Sequence, residues 1–123
     1  MKPFALVIED NMNMANAFKE AVTLAGFVVH VASDGLTALA LLKNESYDFI
    51  LLDLHLPGMK GDEILKVIRA TSHLKTAKVV LATADDRMAD ELKDEADLVF
   101  LKPVGFQQLT EIATRFLPSK PAK

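Results

Sequence analysis

The hydrophobic pattern places polar residues at the ends of apolar runs. Four largely apolar runs cover residues 4–8, 49–52, 78–82 and 98–101. The residues that follow them are Glu9 and Asp10, Asp53, Thr83, and Lys102. Runs of this kind are typical of strands covered on both faces, which predicts a parallel sheet. Because ligands of open parallel sheets bind outside the carboxyl ends of the strands, we expect these polar residues to meet at one edge.

Segments with helical spacing of apolar residues separate these runs, and residues 27–31 read as a further strand, so strands and helices alternate five times. The first helix is predicted between Asp10 and Ala25, and the second after a cap at Ser33 or Asp34. The third follows the loop 56–61 with a cap at Asp62, the fourth runs from Asp85 or Asp86 to Glu95, and the fifth covers about 106–117. The second helix carries Leu36, Leu39, Ala40 and Leu42. Right-handed crossovers place helices on both faces of such a sheet. The predicted fold class is therefore α/β, with a single doubly wound, five-stranded parallel sheet.

The composition narrows the possible partners. The chain has 123 residues, half of them hydrophobic, and its 14 basic and 17 acidic residues give a net charge of -3. This length suits one domain with one core. The charge balance argues against nucleic acid or an anionic membrane as the main partner. There is no cysteine, which excludes disulfides and thiolate metal sites.

No segment has the features of a membrane anchor or a leader peptide. None of the apolar runs approaches the ~20 residues that a membrane-spanning helix needs. Residues 1–3 lead directly into the first predicted strand, so we expect no signal peptide. The expected location is the cytoplasm.

The polar residues at the strand ends suggest a site for a metal ion and a phosphoryl group. Glu9, Asp10 and Asp53 would repel one another at a shared edge, and a divalent cation would relieve that repulsion. Oxygen ligands alone favour a hard ion such as Mg2+. Lys102 would attract a remaining anion, and Thr83 can donate a hydrogen bond to a phosphoryl oxygen. Together these are the groups needed for phosphoryl transfer to an aspartate.

The same residues resemble those of a known family, the receiver domains of two-component response regulators. Glu9-Asp10-Asn11 resembles the acidic pair of that family and the Asn that often follows it. The stretch from Asp53 through Leu56-Pro57 to Gly61 matches the sequence around the family's phosphoacceptor. Thr83-Ala84 matches the Thr/Ser-Ala pair, and Lys102-Pro103 matches the family's Lys-Pro pair. The resemblance covers roughly residues 4–117 and implies a flavodoxin-like strand order.

The resemblance implies a role for each residue of the acidic group. Asp53 would be the phosphorylated nucleophile, with a sensor histidine kinase or a histidine phosphotransfer protein as the donor. Asp10 would bind Mg2+ directly and Glu9 through water. The backbone carbonyl of His55 would complete the protein's share of the metal ligands.

The resemblance also implies how the site responds. Lys102 would pair with Asp53 at rest and with the phosphoryl group afterwards. Thr83 would move toward that group, with the small Ala84 leaving space beside it. The bond between Lys102 and Pro103 would be cis. Residues 1–117 would form a phosphoaccepting signalling switch that changes its protein binding, rather than an enzyme with an external product, and 118–123 would form a flexible tail.

The sequence departs from the family pattern near its usual output face. Many receivers carry an aromatic residue three positions before the Lys, where this chain has Val99. Phe100 should point to the opposite side of the strand because side chains alternate. The segment from Thr83 to Lys102 is also short by about a helical turn, and Glu95 replaces a common Gly.

Three other functions remain open at this level. An Asp-nucleophile phosphatase of the haloacid-dehalogenase kind would normally carry a second Asp where this chain has His55. A flavodoxin-like cofactor binder would need a phosphate-cradling first loop, which Glu9-Asp10-Asn11 would repel. A receiver-like module could also act as an interaction surface without ever being phosphorylated.

Overall fold

A computed structural model describes residues 2–118 and contains the five-stranded parallel sheet predicted from the sequence. Its strands are β1 Phe4–Ile8, β2 Val28–Ala32, β3 Phe49–Asp53, β4 Lys78–Thr83 and β5 Leu98–Leu101. They lie in the order β2-β1-β3-β4-β5, and every neighbouring pair is parallel. This is the strand order of flavodoxin-like folds. The predicted tail lies outside the described residues, apart from Pro118.

Five α-helices cover the two faces of the sheet, which confirms the doubly wound class. They are α1 Met12–Ala25, α2 Gly35–Asn44, α3 Gly61–Ala70, α4 Asp86–Leu92 and α5 Phe106–Arg115. Helices α1 and α5 lie over one face, and α2, α3 and α4 lie over the other. Alternation along β3 divides the core between them, since Ile50 and Leu52 pack on the second face and Phe49 and Leu51 on the first. No helix within residues 2–118 meets the length and hydrophobicity that crossing a membrane requires.

Central and edge strands differ in burial. All five residues of β3 are buried, as are all residues of β4 after its first. In β2 and β5, which form the two edges, most residues are only half-buried. The strand that contains the predicted nucleophile is therefore the most enclosed element of the fold.

Capping residues fix where some of the helices begin. Asn11 Oδ1 accepts the N–H of Met14 at 2.9 Å, and Asp34 Oδ1 accepts the N–H of Thr37 at 2.7 Å. The predicted cap at Asp62 is wrong, because α3 already begins at Gly61 and makes no side-chain cap bond. Asp62 lies within its first turn. The Gly61 N–H, which has no acceptor within the helix, donates to the carbonyl of Leu54 at 3.2 Å.

The apolar residues of α2 differ in burial. Leu36 is 81% exposed, and the buried residues are Gly35, Ala38 and Leu42. A Cβ atom on Gly35 would come within 2.5 Å of Met59 Cβ. The helix therefore turns its smallest residue toward the segment after β3, and this close approach directs Leu36 to solvent.

Several boundaries differ from the predictions by a few residues. The predicted loop 56–61 contains a two-stranded antiparallel hairpin, in which His55–Leu56 pairs with Met59–Lys60. Helix α4 ends at Leu92 rather than Glu95, and α5 ends at Arg115 rather than at residue 117. Strand β2 lies one residue later than predicted. None of these differences moves a predicted site residue away from its strand end.

Candidate functional site

The carboxyl edge of the sheet brings the predicted site residues together. Glu9 follows β1, Asp53 ends β3, Thr83 ends β4 and Lys102 follows β5. Of these, Glu9, Asp53 and Thr83 are buried. Buried polar groups are costly unless they have partners. The contacts among these groups therefore decide what the site can do.

Three carboxylates form an acidic cluster in which Asp10 is exposed and the other two groups are buried. Glu9, Asp10 and Asp53 each place a carboxylate oxygen within 4.8 Å of those of the other two. All three donors are oxygens, and this donor set fits a hard divalent cation such as Mg2+. The cluster opens to solvent through Asp10, which leaves a side from which a cation and its waters can approach.

The Lys102 ammonium reaches into this cluster. Its Nζ lies 2.8 Å from Glu9 Oε1 and 3.3 Å from Asp53 Oδ2. The resemblance implied a partner in Asp53, and the structure adds a shorter contact with Glu9. Burial alone would lower the pKa of Lys102, but the hydrogen bond to Glu9 and the charge of Asp53 outweigh it and raise that pKa. Lys102 is therefore a cation at neutral pH.

Glu9 carries a negative charge in a buried position, which disfavours its ionised form. Burial raises its pKa, and the charge of Asp53 adds to this. The hydrogen bond from Lys102 works against the rise, as does the backbone N–H of Asn11, which lies 3.2 Å from Glu9 Oε2. Lys102 thus stabilises the ionised form of Glu9.

Both oxygens of Asp53 are held in place. Oδ1 accepts the backbone N–H of His55 at 3.1 Å, and Oδ2 faces Lys102. The imidazole of His55 is exposed, so only the backbone of that residue contributes to this contact. These two interactions restrict the rotation of the carboxylate at the end of β3.

Thr83 is linked to the start of α4. Its Oγ1 accepts the backbone N–H of Asp85 at 3.0 Å. Asp85 in turn caps α4 by accepting the N–H groups of Arg87 and Met88. A hydroxyl followed two residues later by a turn is the local signal for this bond. Ala84 lies exposed between the two residues.

The segment around Lys102 completes the edge. The Lys102 N–H donates to the carbonyl of Thr83 at 2.8 Å, and the Lys102–Pro103 peptide bond is cis. Val99 and Phe100 contribute to opposite core layers, as strand alternation predicts. The aromatic residue of this strand therefore faces α1 and α5 rather than α4.

Comparisons with known proteins agree with this geometry. The model of the response regulator receiver domain family matches residues 5–114. Chemotaxis protein CheY-3 of Vibrio cholerae is 40% identical over 81 residues, which are 65% of this chain and 62% of that protein. The transcriptional regulatory protein HprR of Escherichia coli is 34% identical over 107 residues, 85% of this chain but 47% of the regulator. The chain thus spans only part of these relatives, about half in the case of HprR.

Solved structures share the fold along nearly the whole chain. The chemotaxis response regulator CheY4 of Vibrio cholerae has a TM-score of 0.85 at 26% identity, covering 95% of this chain and 100% of that one. The response regulator TrrA of Thermotoga maritima, solved in complex with Mg2+ and BeF, has a TM-score of 0.82 at 31% identity, with the same coverage.

Proposed function

This chain belongs to the response regulator receiver domain family, and we propose that Asp53 accepts a phosphoryl group in a two-component phosphorelay. The donor would be a phosphohistidine of a sensor histidine kinase or of a histidine phosphotransfer protein. Residues 1–117 would form the phosphoaccepting unit. Phosphorylation would then change which protein the domain binds.

One observation carries the proposal. The carboxylate of Asp53 lies at the end of a buried strand, within 4.8 Å of two further carboxylates and 3.3 Å from a lysine ammonium. An ion pair that served only stability would need one carboxylate for its cation. Three carboxylates around one cation repel one another, which is unfavourable for stability. A site that gains a metal ion and a phosphoryl group uses all four charges.

The chemistry follows from the contacts of Asp53. One of its oxygens would attack phosphorus, so that the new O–P bond forms as the P–N bond to the donor histidine breaks. The imidazole leaves with the electron pair of that bond and takes a proton. Lys102 would turn from the carboxylate to a phosphoryl oxygen, and its charge would stabilise the added negative charge.

Thr83 and Ala84 would complete the contacts with the phosphoryl group. The Thr83 hydroxyl currently accepts a hydrogen bond and still has its own proton to donate. Ala84 adds no side chain beyond a methyl group that could block the approach. Movement of Thr83 would disturb its bond to Asp85, which links the site to α4.

We propose Mg2+ as the cofactor because the acidic cluster offers only oxygen ligands. Asp10, being exposed, would bind the ion directly, and Glu9 would act through water because Lys102 already occupies one of its oxygens. Asp53 and the backbone carbonyl of His55 would supply the remaining protein ligands. When bound, Mg2+ would offset the negative charge that builds up during transfer.

The test is an intact-mass measurement after incubation with acetyl phosphate and Mg2+. The wild-type chain should gain one phosphoryl group that is stable in acid and labile in base. Asp53→Asn should gain none. Asp48→Asn is the matched control, since Asp48 precedes the same strand at the opposite edge of the sheet. It should be phosphorylated like the wild type, and EDTA should abolish the reaction in both.

The outcomes separate the alternatives. Equal phosphorylation of Asp53→Asn would refute the assignment of the nucleophile. A wild-type chain that never gains the group, even from a phosphorylated donor protein, would instead be an interaction module. Repeated turnover of a generic phosphate ester would indicate a phosphatase.

A further inference from the structure

Helix α4 is attached to the rest of the fold differently from the other helices. It has seven residues, none of them buried, and its end is followed by Lys93 and then by the two acidic residues Asp94 and Glu95. Negative charge near the carboxyl end of a helix is unfavourable. No residue of the helix is fully buried, and its apolar contact with the core is limited to half-buried side chains such as Met88 and Leu92.

The amino end of α4 is held through Asp85. The N–H of Asp85 donates to Thr83, and its carboxylate caps the first turn of the helix. Thr83 itself is buried at the end of β4. A hydrogen bond from the Asp85 backbone thus links this end to the buried Thr83.

The carboxyl end is held by Arg69, which lies in the last turn of α3. The Arg69 guanidinium donates to the carbonyl of Glu95 at 3.1 Å and to that of Ala77 at 3.4 Å, and it pairs with Asp97 Oδ2 at 3.2 Å. Helix α3 buries Ile64, Leu65 and Ile68, so the arginine is attached to a rigid part of the core.

Asp97 has other anchors besides Arg69. Its N–H donates to the carbonyl of Val79 at 2.9 Å, and its carboxylate accepts the N–H of Val79 at 2.7 Å. Strand β5 therefore keeps its place against β4 without the arginine. Glu95 lies closer to α4 and has no comparable anchor among the contacts of residues 2–118, so the loss of Arg69 would free the helix rather than the strand.

We propose that α4 is a strap that opens locally, and that the Arg69 guanidinium is the latch that holds it closed. The half-buried side chains of Met88, Leu92 and Ala96 lie between the strap and the core. Opening uncovers this apolar surface, and the latch sets how often it is uncovered. The proposal concerns the protein before phosphorylation, so it stands apart from the role of Asp53.

Amide hydrogen exchange of the full chain, without Mg2+ or a phosphoryl donor, tests the latch. In Arg69→Met, amides of residues 88–95 should exchange about tenfold faster than in the wild type, because charge-assisted hydrogen bonds are lost. Amides of α1 and β3 should keep their rates. Lys66→Met is the matched control, since Lys66 is an exposed cation on the same helix, and it should leave residues 88–95 unchanged.

A second variant separates geometry from charge. Arg69→Lys keeps the positive charge but cannot bind three acceptors with one planar group. Its residues 88–95 should exchange nearly as fast as those of Arg69→Met. Wild-type rates in both variants would overturn the latch. So would an equal acceleration throughout the chain, because Arg69 would then support only global stability.

Discussion

Helices α3 and α4 lie over the same face of the sheet and follow the two strands that end at Asp53 and Thr83, yet they are held by different forces. Helix α3 has ten residues, of which four are buried. Helix α4 has seven and buries none. The first belongs to the hydrophobic core, whereas the second adds only half-buried side chains to it and is held by hydrogen bonds near its two ends.

The difference shows how one domain can combine a fixed site with a responsive surface. The site needs Asp53 in a defined position, and the packing of α3 directly after the hairpin supplies this. A surface that exchanges partners needs an element that moves at small free-energy cost, and such elements come from the least stable parts of a fold. Helix α4 meets that description.

The largest effect in this comparison should come from truncating equivalent apolar residues. Ile68 of α3 is fully buried, and Ile68→Ala should lower the free energy of unfolding by about 3 kcal/mol through lost burial and a cavity. Leu92 of α4 is half-buried, so Leu92→Ala should cost less than about 1 kcal/mol. Urea denaturation followed by circular dichroism measures both. Equal losses would mean that α4 belongs to the same cooperative core as α3.

A smaller effect is expected from adding a side chain where α3 begins. A Cβ atom on Gly61 would lie 2.5 Å from Leu54 Cα and 3.0 Å from the carbonyl oxygen of Asp53. Gly61→Ser should therefore cost about 1–3 kcal/mol of stability, because backbone has to shift. Gly105→Ser, at the start of α5, is the control, since a Cβ there meets nothing within 4 Å and Ser suits an N-cap. A stable Gly61→Ser variant would show that the junction can relax.

Much of this comparison could be predicted from the sequence, because burial periodicity and strand ends are local signals. The apolar run before Asp53 predicted a strand buried on both faces, and the acidic composition after Thr83 predicted a short helix. The position of Gly61 could not be predicted in the same way. Its requirement for glycine comes from the backbone of Leu54, and no residue pattern encodes how closely two segments approach.

Contacts between distant residues were also beyond the sequence. Arg69 and Asp97 are 28 positions apart, and periodicity says which face of α3 is apolar but not which partner its arginine reaches. His30 contacts Tyr47 at 2.9 Å and His73 contacts the carbonyl of Leu42 at 2.8 Å for the same reason. The exposure of Leu36 likewise depends on tertiary structure, since Gly35 of the same helix closely approaches Met59.

The response to phosphorylation should also differ between the hairpin 55–60 and strand β5. Val99 is β-branched and too small to swing between buried and exposed positions, and Phe100 faces the other core layer. We expect beryllofluoride with Mg2+ to change amide exchange of the hairpin 55–60 several-fold, and that of β5 by less. Exchange measured with and without the reagent tests this. Changes centred on Val99 and Phe100, with none near Met59, would contradict the prediction.

The smallest effects should come from the helix caps, where a simple count of hydrogen bonds predicts the wrong order. Asp85 accepts two N–H groups at the start of α4, whereas Asp34 accepts one, from Thr37, at the start of α2. Asp34→Ala should nevertheless lower the midpoint of thermal unfolding more, by about 3–5 °C, because α2 unfolds with the core. Asp85→Ala should lower it by less than about 1 °C, since the cost of losing a cap cannot exceed the cost of opening α4 locally.

The effect of pH on the contribution of the Asp34 cap provides an internal check. The Thr37 N–H lowers the pKa of Asp34, so the contribution of the Asp34 cap is complete above the ordinary pKa of a carboxyl group and is lost as the pH falls through the lowered value. The gap in unfolding midpoint between wild type and Asp34→Ala should therefore shrink in acid. Asp86→Ala, which changes an exposed residue in the first turn of α4, controls for the loss of a negative charge.

An effect of Asp85→Ala that equals or exceeds that of Asp34→Ala would mean that α4 and α2 unfold together. The contrast between a helix packed into the core and a helix held at its ends would then fail.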